Sequence, residues 1–517
     1  MIRLYDNRRL NYINKSIKTN KPKILFIAFY DYGAFGIRSI QSFIKSKGYE
    51  TYTIFFKEDM SNRILEPTDN EKEMLFDKIH LFCPNIICIS LRSPQFKVVS
   101  KINKLIKERF PGITIIWGGT HATICPEVCI EHVDYVCVGE GEYPLLEFIK
   151  KPSADIKNFW VRKDGKIIKN ELRPLIQDLD AFPIPDYTNR CYIEDNKLIE
   201  EDPIAKLSKY QIMACRGCPF RCSFCSNSYL HGLFKGKGNY IRRRSANHVI
   251  KELLHAKKTF KNIKVISFLD EVFAFDKEWL NGFIKEYKKI NLPFRIELHP
   301  SKVDEGNIKL LKNAGLSLVT MGIQCGSQRI RSEIFNRFTP DEQILKAANI
   351  FKKHKISVNY DIILDNPYET PKDMADSINM LLKLPRPYRL VLYSLNNFPK
   401  TELTQRMIAD GTISKYGTGV QGFGRWGMSL KSKRSKESLY YNCIVSLLSS
   451  NFIPKLMIRH LLKISFLKKH TQPLIILSRI SRELNVMIYG TKFILKGEVS
   501  FAMFRQYVKN YISKIRN

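Results

Sequence analysis

No run of eighteen or more uncharged apolar residues occurs in the 517-residue chain, so no membrane-spanning helix is expected. The stretch from Met1 to Lys21 is polar and basic and lacks the apolar core of a secretory signal, so the protein is expected to stay in the cytoplasm. Internal repeats and low-complexity tracts are missing as well, which leaves an ordinary globular organisation. Acid is scarce: 50 Asp and Glu stand against 84 Lys and Arg, a formal net charge of +34. Three readings of that excess compete, namely nucleic-acid binding, contact with an anionic membrane, and lysine used as the default surface residue. Lysine is spread along most of the chain, which favours the last.

What is present is enough to build a large core. Hydrophobic residues make up 44% and charged residues 26%, and the length suits two or three domains. The 12 cysteines in a chain this long, without a secretory signal, are read as core or metal-binding residues rather than as disulfides. Most are scattered in apolar runs, as Cys88 and Cys137 are, but four crowd between Cys215 and Cys225.

Residues 1–150 alternate short apolar runs with helix-like stretches. The runs are Ile24–Phe29, Tyr52–Phe56, Ile86–Ser90, Ile113–Trp117 and Tyr135–Val138. This pattern predicts an α/β, doubly wound, flavodoxin-like domain of five parallel strands, which binds ligands at the carboxyl ends of its strands. Glycines gather at those ends: Gly33 and Gly36, Gly118 and Gly119, Gly139 and Gly141. They are expected to let the backbone approach a bulky ligand. Residues 151–208 read as an extended connector, with Pro183 and Pro185 in it. Residues 209–415 again alternate. Strands are expected at Tyr210–Ala214, Lys264–Leu269, Phe294–Leu298, Leu316–Met321, Val358–Leu364 and Arg389–Leu395, giving a partial (β/α)6 TIM-like barrel with its site at the C-terminal strand ends. Residues 416–517 form a basic, mostly helical region, opening with a Gly- and aromatic-rich loop over 415–427 that includes Tyr416, Phe423 and Trp426.

The cysteine-rich text is Cys215-Arg-Gly-Cys218-Pro-Phe-Arg-Cys222-Ser-Phe-Cys225, directly after the first barrel strand. A structural zinc site usually has two Cys pairs on separate turns with a longer segment between, whereas only three residues separate Cys218 from Cys222. Four plain core thiols suit a Gly- and Pro-containing loop poorly. An iron–sulfur cluster held by three of them is the third reading. Thiolates are its usual anchors, and three ligands leave one iron open to substrate.

Cys218-x3-Cys222-x2-Cys225, with an aromatic before the last cysteine, resembles the signature of the radical S-adenosylmethionine (SAM) superfamily. The resemblance implies a [4Fe–4S] cluster on Cys218, Cys222 and Cys225, the open iron taking the amino and carboxylate groups of SAM. SAM is then cleaved to a 5′-deoxyadenosyl radical that abstracts hydrogen from a substrate. Cys215, where relatives often carry Ser or Thr, is implied to be a non-ligand. Further segments are similar to the family. Asp270 and Glu271 stand where groups hold the SAM amine, although an Asp-Glu pair is more often an ordinary strand-to-loop cap. Gln324 and Ser327 stand where polar side chains meet SAM, Arg337 could pair with its carboxylate, and Asp361 belongs to the segment that meets adenine and ribose. Glu369 and Thr370 read equally well as a helix cap.

The first domain resembles the cobalamin (B12)-binding domains that precede many radical SAM domains, on Trp117-Gly118-Gly119-Thr-His121 and Gly139-Glu140-Gly141-Glu142. Together the resemblances cover about residues 23–403. They imply cobalamin contacts from Gly33, Ser90, Gly118, Gly119, His121, Gly139, Glu140, Gly141 and Glu142. One departure stands out: Asp31 and Gly36 keep the spacing of an Asp-x-His-x-x-Gly motif, but Gly33 occupies the position of the cobalt-binding His. No imidazole of that loop can therefore ligate cobalt, and His121 is implied to meet the corrin tail or fill the loop.

The implied activity is a cobalamin-dependent radical SAM methyltransferase acting on an unactivated carbon or phosphorus centre. A cyclase or oxidative rearrangement on the same domains is the alternative. A tRNA methylthiotransferase needs a further cysteine set, and Cys83, Cys88, Cys125, Cys129 and Cys137 do not match its setting. A metal-stabilised nucleic-acid-binding module is left without a recognisable motif, so no specific nucleic acid is expected. The partners implied are a small-molecule or lipid-like substrate and an electron donor such as flavodoxin or ferredoxin. The stretches Phe452–Lys469 and Leu474–Lys496 mix apolar and basic residues. They are read as a helical cap on the barrel, with peripheral contact to an anionic membrane as the competing reading.

Overall fold

Short apolar runs alternating with amphipathic stretches build two separate parallel sheets. A computed structural model describes residues 21–58, 64–273, 276–414 and 435–495. The loop expected over 415–427, with Tyr416, Phe423 and Trp426, lies outside the described residues, as do residues 431–434 of the basic run Lys431-Ser-Lys-Arg-Ser-Lys436, which the sequence reads as a solvated linker. The described residues fall into two compact units, one within 1–58, 66–172 and 185–202, the other within 59–65, 173–184 and 203–517.

In the first unit, β1 (Ile24–Phe29), β2 (Thr51–Phe56), β3 (Ile86–Ser90), β4 (Thr114–Gly118) and β5 (Tyr135–Cys137) are parallel, in the order β5-β4-β3-β1-β2. Every residue of β1 is buried, as expected of a central strand covered on both faces. The chain passes from β1 through helix Phe35–Ser46 to β2, then crosses back to β3 on the other side of β1. That reversal opens a crevice at the carboxyl ends of β1 and β3, the position doubly wound sheets use for ligands.

The expected connector 151–208 turns out to carry four strands. β6 (Phe159–Lys163) and β7 (Lys166–Lys169) form a hairpin against β5, and β8 (Arg190–Glu194) and β9 (Lys197–Ile199) form another against β2. The turn chemistry explains them. Asp164-Gly165 and Asp195-Asn196 each adopt positive φ at both positions, the geometry of a two-residue hairpin turn. The flanking residues bury on alternate positions, as Phe159 and Val161 do.

Asp202, at the end of this segment, is held in the core of the first unit between two guanidinium groups. Arg38 reaches it through Nη1 at 2.6 Å and Nη2 at 3.0 Å, and Arg190 through Nη1 at 2.8 Å. All three side chains are nearly inaccessible. A second Arg190 nitrogen donates to the Gln41 amide oxygen at 2.9 Å, so the trio fixes helix Phe35–Ser46 to the β8 edge.

In the second unit, β10 (Lys209–Ile212) begins the barrel, and β11 (Cys215–Arg216) pairs with β12 (Arg242–Arg243) as a small antiparallel ribbon beside it. β13 (Val265–Phe268), β14 (Phe294–Leu298), β15 (Leu316–Gln324), β16 (Ser357–Leu364) and β17 (Arg389–Ser394) follow. β10 and β13 to β17 make a six-stranded parallel sheet in chain order, the open (β/α)6 arrangement. Helices Ala246–Thr259, Lys277–Tyr287, Glu305–Ala314, Asp341–Lys353 and Pro371–Lys383 cover it. Thr370 caps the last of these in a reciprocal box with Asp373. Gly326, just after β15, lies so close to that helix that a Cβ would sit 2.3 Å from the Cα of Ser377.

The C-terminal helices Lys436–Leu448, Lys455–Leu461, Ser465–Lys469 and Gln472–Leu495 close the β17 side of the second unit. Asn451 exchanges hydrogen bonds with the backbone of Tyr388, Lys455 Nζ donates to the carbonyls of Leu382 and Leu384, and Asn442 donates to Asp365 Oδ1 at 2.8 Å.

Replacing Asp202 by Ala strands two buried cations, and this class of change costs about 3–5 kcal/mol. Chemical denaturation should show that loss for the D202A chain, with Asp202→Asn losing less because its amide oxygen still accepts from one arginine.

Candidate active site

The cysteine loop is pinned at its start. The backbone N–H groups of Ala214 and Cys215 both donate to Asp270 Oδ1, at 2.8 and 2.6 Å. Asp270 follows β13 and is fully buried, so the loop leaves the barrel tied to the neighbouring strand. Gly217 then takes a φ of +93°, and a Cβ there would lie 2.3 Å from the Tyr240 carbonyl oxygen, so only glycine passes beside β12. Further along, Ser223 N–H donates to the Phe335 carbonyl at 3.0 Å, and Asn336 Nδ2 donates to the Arg221 carbonyl at 2.9 Å. Phe224 packs edge-on against Phe335, over the apolar group of Cys325, Ile330, Ile334, Leu403 and Met407. The loop is thus anchored at its start and again over Arg221–Phe224, which sets Cys218 and Cys222 between the anchors and Cys225 directly after them.

Cys218, Cys222 and Cys225 share one cleft with Glu271, Glu297, His299, Gln324, Arg337 and Asp361, which encloses about 600 Å³ including its open mouth. The three cysteines are free thiols. Burial pushes the Cys218 thiol up to about 11 and Cys225 up to about 12. Arg337 Nη1 stands 3.5 Å from Cys222 Sγ, and Nη2 donates to the Gly322 carbonyl at 2.5 Å. Cys218 and Cys225, held neutral by burial, and Cys222, beside a fixed cation, suit ligation of a metal that takes up the thiolate charge. The donor set therefore fits a cluster bound through three sulfurs. Cys215 is buried and does not line the cleft.

Opposite in charge to Arg337 stands a carboxylate wall. Glu297 is pushed up to about 8, first by burial and then by the negative fields of Asp361, Glu271 and Asp270. Glu271 is likewise raised by burial, against a hydrogen bond from Asn227. Three acids crowded in one dry cleft suit a cationic ligand, which would relieve their mutual repulsion. Gln324 reaches the cleft through a left-handed residue, φ +71°, where the β15–β16 register shifts between Gly322 and Gln324. The Gln324 amide packs over Gly322, where a Cβ would lie 2.4 Å from Nε2.

Two residues expected to touch SAM do not line this cleft. Asp270 does not line the cleft, and its Oδ1 accepts the Ala214 and Cys215 amides as a strand-end cap does. Ser327 is buried with its Oγ donating to Asp373 Oδ1 at 2.7 Å and its N–H to Ser377 Oγ at 3.0 Å, which locks β15 to helix Pro371–Lys383. Glu369 is not part of the cap either: it accepts from the Cys325 thiol at 3.2 Å. Conversely, Glu297, His299 and Phe220 line the cleft without having been singled out in the sequence. His299 stacks on Phe220 with centroids 3.8 Å apart, and burial and Arg337 push its pKa down to about 2, so the ring is neutral. Their positions, at the end of β14 and inside the cysteine motif, were the available signal.

In the first unit the expected cobalamin residues gather at the carboxyl ends of the strands. Gly33 follows β1, Ser90 ends β3, Gly118 and Gly119 end β4, and Gly139, Glu140 and Gly141 follow β5. Glu142 begins the next helix and is buried, accepting from Ser39 Oγ at 3.2 Å. Glu140 offers its carbonyl to Asn158 Nδ2 at 3.1 Å. Gly119 answers to protein packing rather than to a ligand. At φ +89°, a Cβ there would lie 2.8 Å from both Leu91 N and Ser90 Oγ. His121 is buried with Nδ1 2.9 Å from Ser93 Oγ, while Nε2 is buried without a protein partner. Burial pushes the ring down to about 4, so it is a neutral donor or acceptor. An orphaned buried ring nitrogen among the strand-end residues fits a large polar-edged ligand such as cobalamin.

Comparison with known proteins agrees with both halves. Residues 24–149 match the B12 binding domain, and residues 212–381 match the Radical SAM superfamily. The chain is 27% identical over 357 residues to an uncharacterised methyltransferase of Pyrococcus horikoshii, covering 65% of this chain and 72% of the relative. It is 24% identical over 363 residues to the anaerobic magnesium-protoporphyrin IX monomethyl ester cyclase of Rubrivivax gelatinosus, covering 66% of this chain and 60% of that one. The fold is shared with the cobalamin-dependent S-adenosylmethionine radical enzyme OxsB, solved with aqua-cobalamin and S-adenosylmethionine bound. The TM-score is 0.63 at 14% identity, over 96% of this chain and 84% of that chain.

Two outcomes check this geometry. Asp270→Ala removes the acceptor for two loop amides, and anaerobic reconstitution should yield clearly less iron and sulfide per chain than wild type. Glu297 is protonated in the folded ligand-free chain up to about pH 8 but ionises near its ordinary value when unfolded. Folding stability carried by this group is therefore lost as pH rises from the ordinary carboxylate range toward 8. The melting temperature of Glu297→Gln should match wild type in acid, rise above it through that window and keep a constant lead beyond it.

Proposed function

We propose, from the premise that the chain is a radical SAM enzyme with an N-terminal B12-binding domain, that it transfers a methyl group to an unactivated carbon or phosphorus centre of a small or lipid-like molecule. The observation that carries the reading is the cleft in which three backbone-anchored cysteines face a carboxylate wall and one arginine. A [4Fe–4S] cluster supplies the electron that breaks SAM into a radical, and cobalamin supplies the methyl carrier.

The chain's own residues do the rest. Cys218, Cys222 and Cys225 hold the cluster. Arg337, fixed by the Gly322 carbonyl, offsets thiolate charge and can pair with the SAM carboxylate. Glu271, Glu297 and Asp361 accept the ammonium and balance the sulfonium. As the cation enters, Glu297 gives up the proton that crowding had left on it. Phe220, Leu298 and neutral His299 exclude water and add no charge. Gly33, Ser90, Gly118, Gly139, Glu140, Gly141 and Glu142 shape the crevice for cobalamin, Gly119 serves the packing beneath it, and His121 Nε2 is able to meet a polar group of its tail. The loop from Asp31 to Gly36 offers no imidazole for cobalt. An electron donor such as flavodoxin or ferredoxin completes the system.

A second reading, cyclisation or oxidative rearrangement without methyl transfer, is favoured by the similarity to the Rubrivivax gelatinosus cyclase. Anaerobically reconstituted protein with reductant and SAM should release 5′-deoxyadenosine, and Cys222→Ala should release none. Label from methyl-labelled SAM entering product supports methyl transfer. Turnover with label left on SAM-derived products favours the cyclase reading. Absence of 5′-deoxyadenosine from a chain with full iron and sulfide would overturn both.

A further inference from the structure

The last described helix is turned inside out with respect to polarity. Gln472–Leu495 lies against helix Lys436–Leu448 through a face that carries Ser478, Ser481 and Asn485. Ser478 Oγ meets Cys443 Sγ at 3.8 Å, Ser481 Oγ bonds Ser450 Oγ, and Asn485 Nδ2 donates to the same Ser450 oxygen at 2.5 Å. Leu474 and Ile475 at its start are buried, but five other large apolar side chains along it point the other way. Ile476, Ile480, Leu484, Met487 and Ile488 are between 44% and 56% exposed, and their spacing, i, i+4, i+8, i+11 and i+12, makes one continuous stripe. Leu456 and Phe466 on the two preceding short helices are 64% and 61% exposed. Of the 21 exposed large hydrophobics among the described residues, eleven fall within 452–495. A surface helix ordinarily buries such a stripe, so this one is built to meet an apolar phase outside the protein.

Charge decides which phase. Residues 452–495 contain eight Lys or Arg and a single acid, Glu483, which is paired with Arg482. Arg459, Lys463, Lys469 and Arg479 are exposed beside the apolar side chains. A second copy of the chain would bring the same cations against themselves, whereas an anionic lipid surface neutralises them. No helix of the described residues is long and apolar enough to cross a membrane, so the contact is in the plane of the interface. We infer that the C-terminal helical face of the second unit seats this enzyme on anionic lipid, with the Ile476–Ile488 stripe in the headgroup–acyl boundary and the flanking Lys and Arg on the lipid phosphates.

Flotation of the full chain with vesicles tests this. The chain should rise with vesicles of phosphatidylcholine and phosphatidylglycerol and stay down with phosphatidylcholine alone. Raising the salt concentration should weaken the binding, because the electrostatic part is screened. The triple variant Ile480→Ser, Leu484→Ser, Ile488→Ser alters only exposed side chains. It should keep the wild-type melting temperature and the wild-type iron content while losing about tenfold or more of the lipid-bound fraction. Lys469→Glu with Arg479→Glu, a milder surface change, should lower binding in the same direction. Failure of the wild-type chain to float on phosphatidylglycerol vesicles overturns the inference. It does so whether the stripe is then covered by a second copy, read as a dimer by light scattering, or by the chain's own residues 496–517. Undiminished flotation of the triple variant overturns it as well, by assigning the contact to another surface.

Discussion

One buried carboxylate sets the origin of the whole catalytic loop. Asp270 sits at the end of a barrel strand with no exposed surface and accepts two consecutive backbone amides from the start of the cysteine segment. Burial works against its ionisation and pushes its pKa up to about 6, while the amide bonds pull the other way. The loop and the carboxylate therefore stabilise one another: without the amides the charge would be unsupported in a dry site, and without the charge the loop would lose its fixed start. A second set of contacts, from Ser223 and Arg221 to Phe335 and Asn336, fixes the other end. Rigid anchoring at both ends is what allows a glycine- and proline-containing loop to present three thiols in one arrangement.

Inside the cleft, charge is separated by strand. Arg337, following β15, stands by the sulfur of Cys222, and the acids come from the ends of β13, β14 and β16. A zwitterionic ligand with an additional positive centre would find matching groups from different strands there. In a water-poor site such pairing is stronger than at a surface, and it acts on orientation as much as on affinity. His299, which stacks on Phe220 and remains neutral, adds bulk without disturbing that separation.

Much of this was legible in the sequence, and the failures have physical causes. The alternation of apolar runs and amphipathic stretches gave both parallel sheets, with strand Phe294–Leu298 matching its expected bounds. The resemblance to the radical SAM signature, carried by the Cys218-x3-Cys222-x2-Cys225 spacing, is what pointed to these three cysteines and set Cys215 apart. The hairpins around Asp164-Gly165 and Asp195-Asn196 were missed because prolines elsewhere in the segment outweighed short strands with good turns. Asp270 and Ser327 could not be told from cleft residues, since one position along a strand end reverses the direction a side chain takes. Glu271, the very next residue, does line the cleft. Glu297 was invisible for a related reason. A lone acid in an alternating strand reads as a solvent-facing residue, and only the curvature of the open barrel turns it inward. The inverted helix at the C-terminus carries the same lesson: apolar periodicity reports which face is greasy, not which face the protein keeps for itself.

The contact between Gly326 and Ser377 has a consequence for how such a barrel can diverge. Backbone meets backbone there with no room for a methyl group, directly beneath the strand end that delivers Gln324. Any heavier residue at 326 would have to lever the helix Pro371–Lys383 outward, and the Arg329–Asp373 ion pair resists that movement. The seam therefore ties strand end and helix into one unit, so the part of the cleft that carries Gln324 cannot be reshaped without moving both.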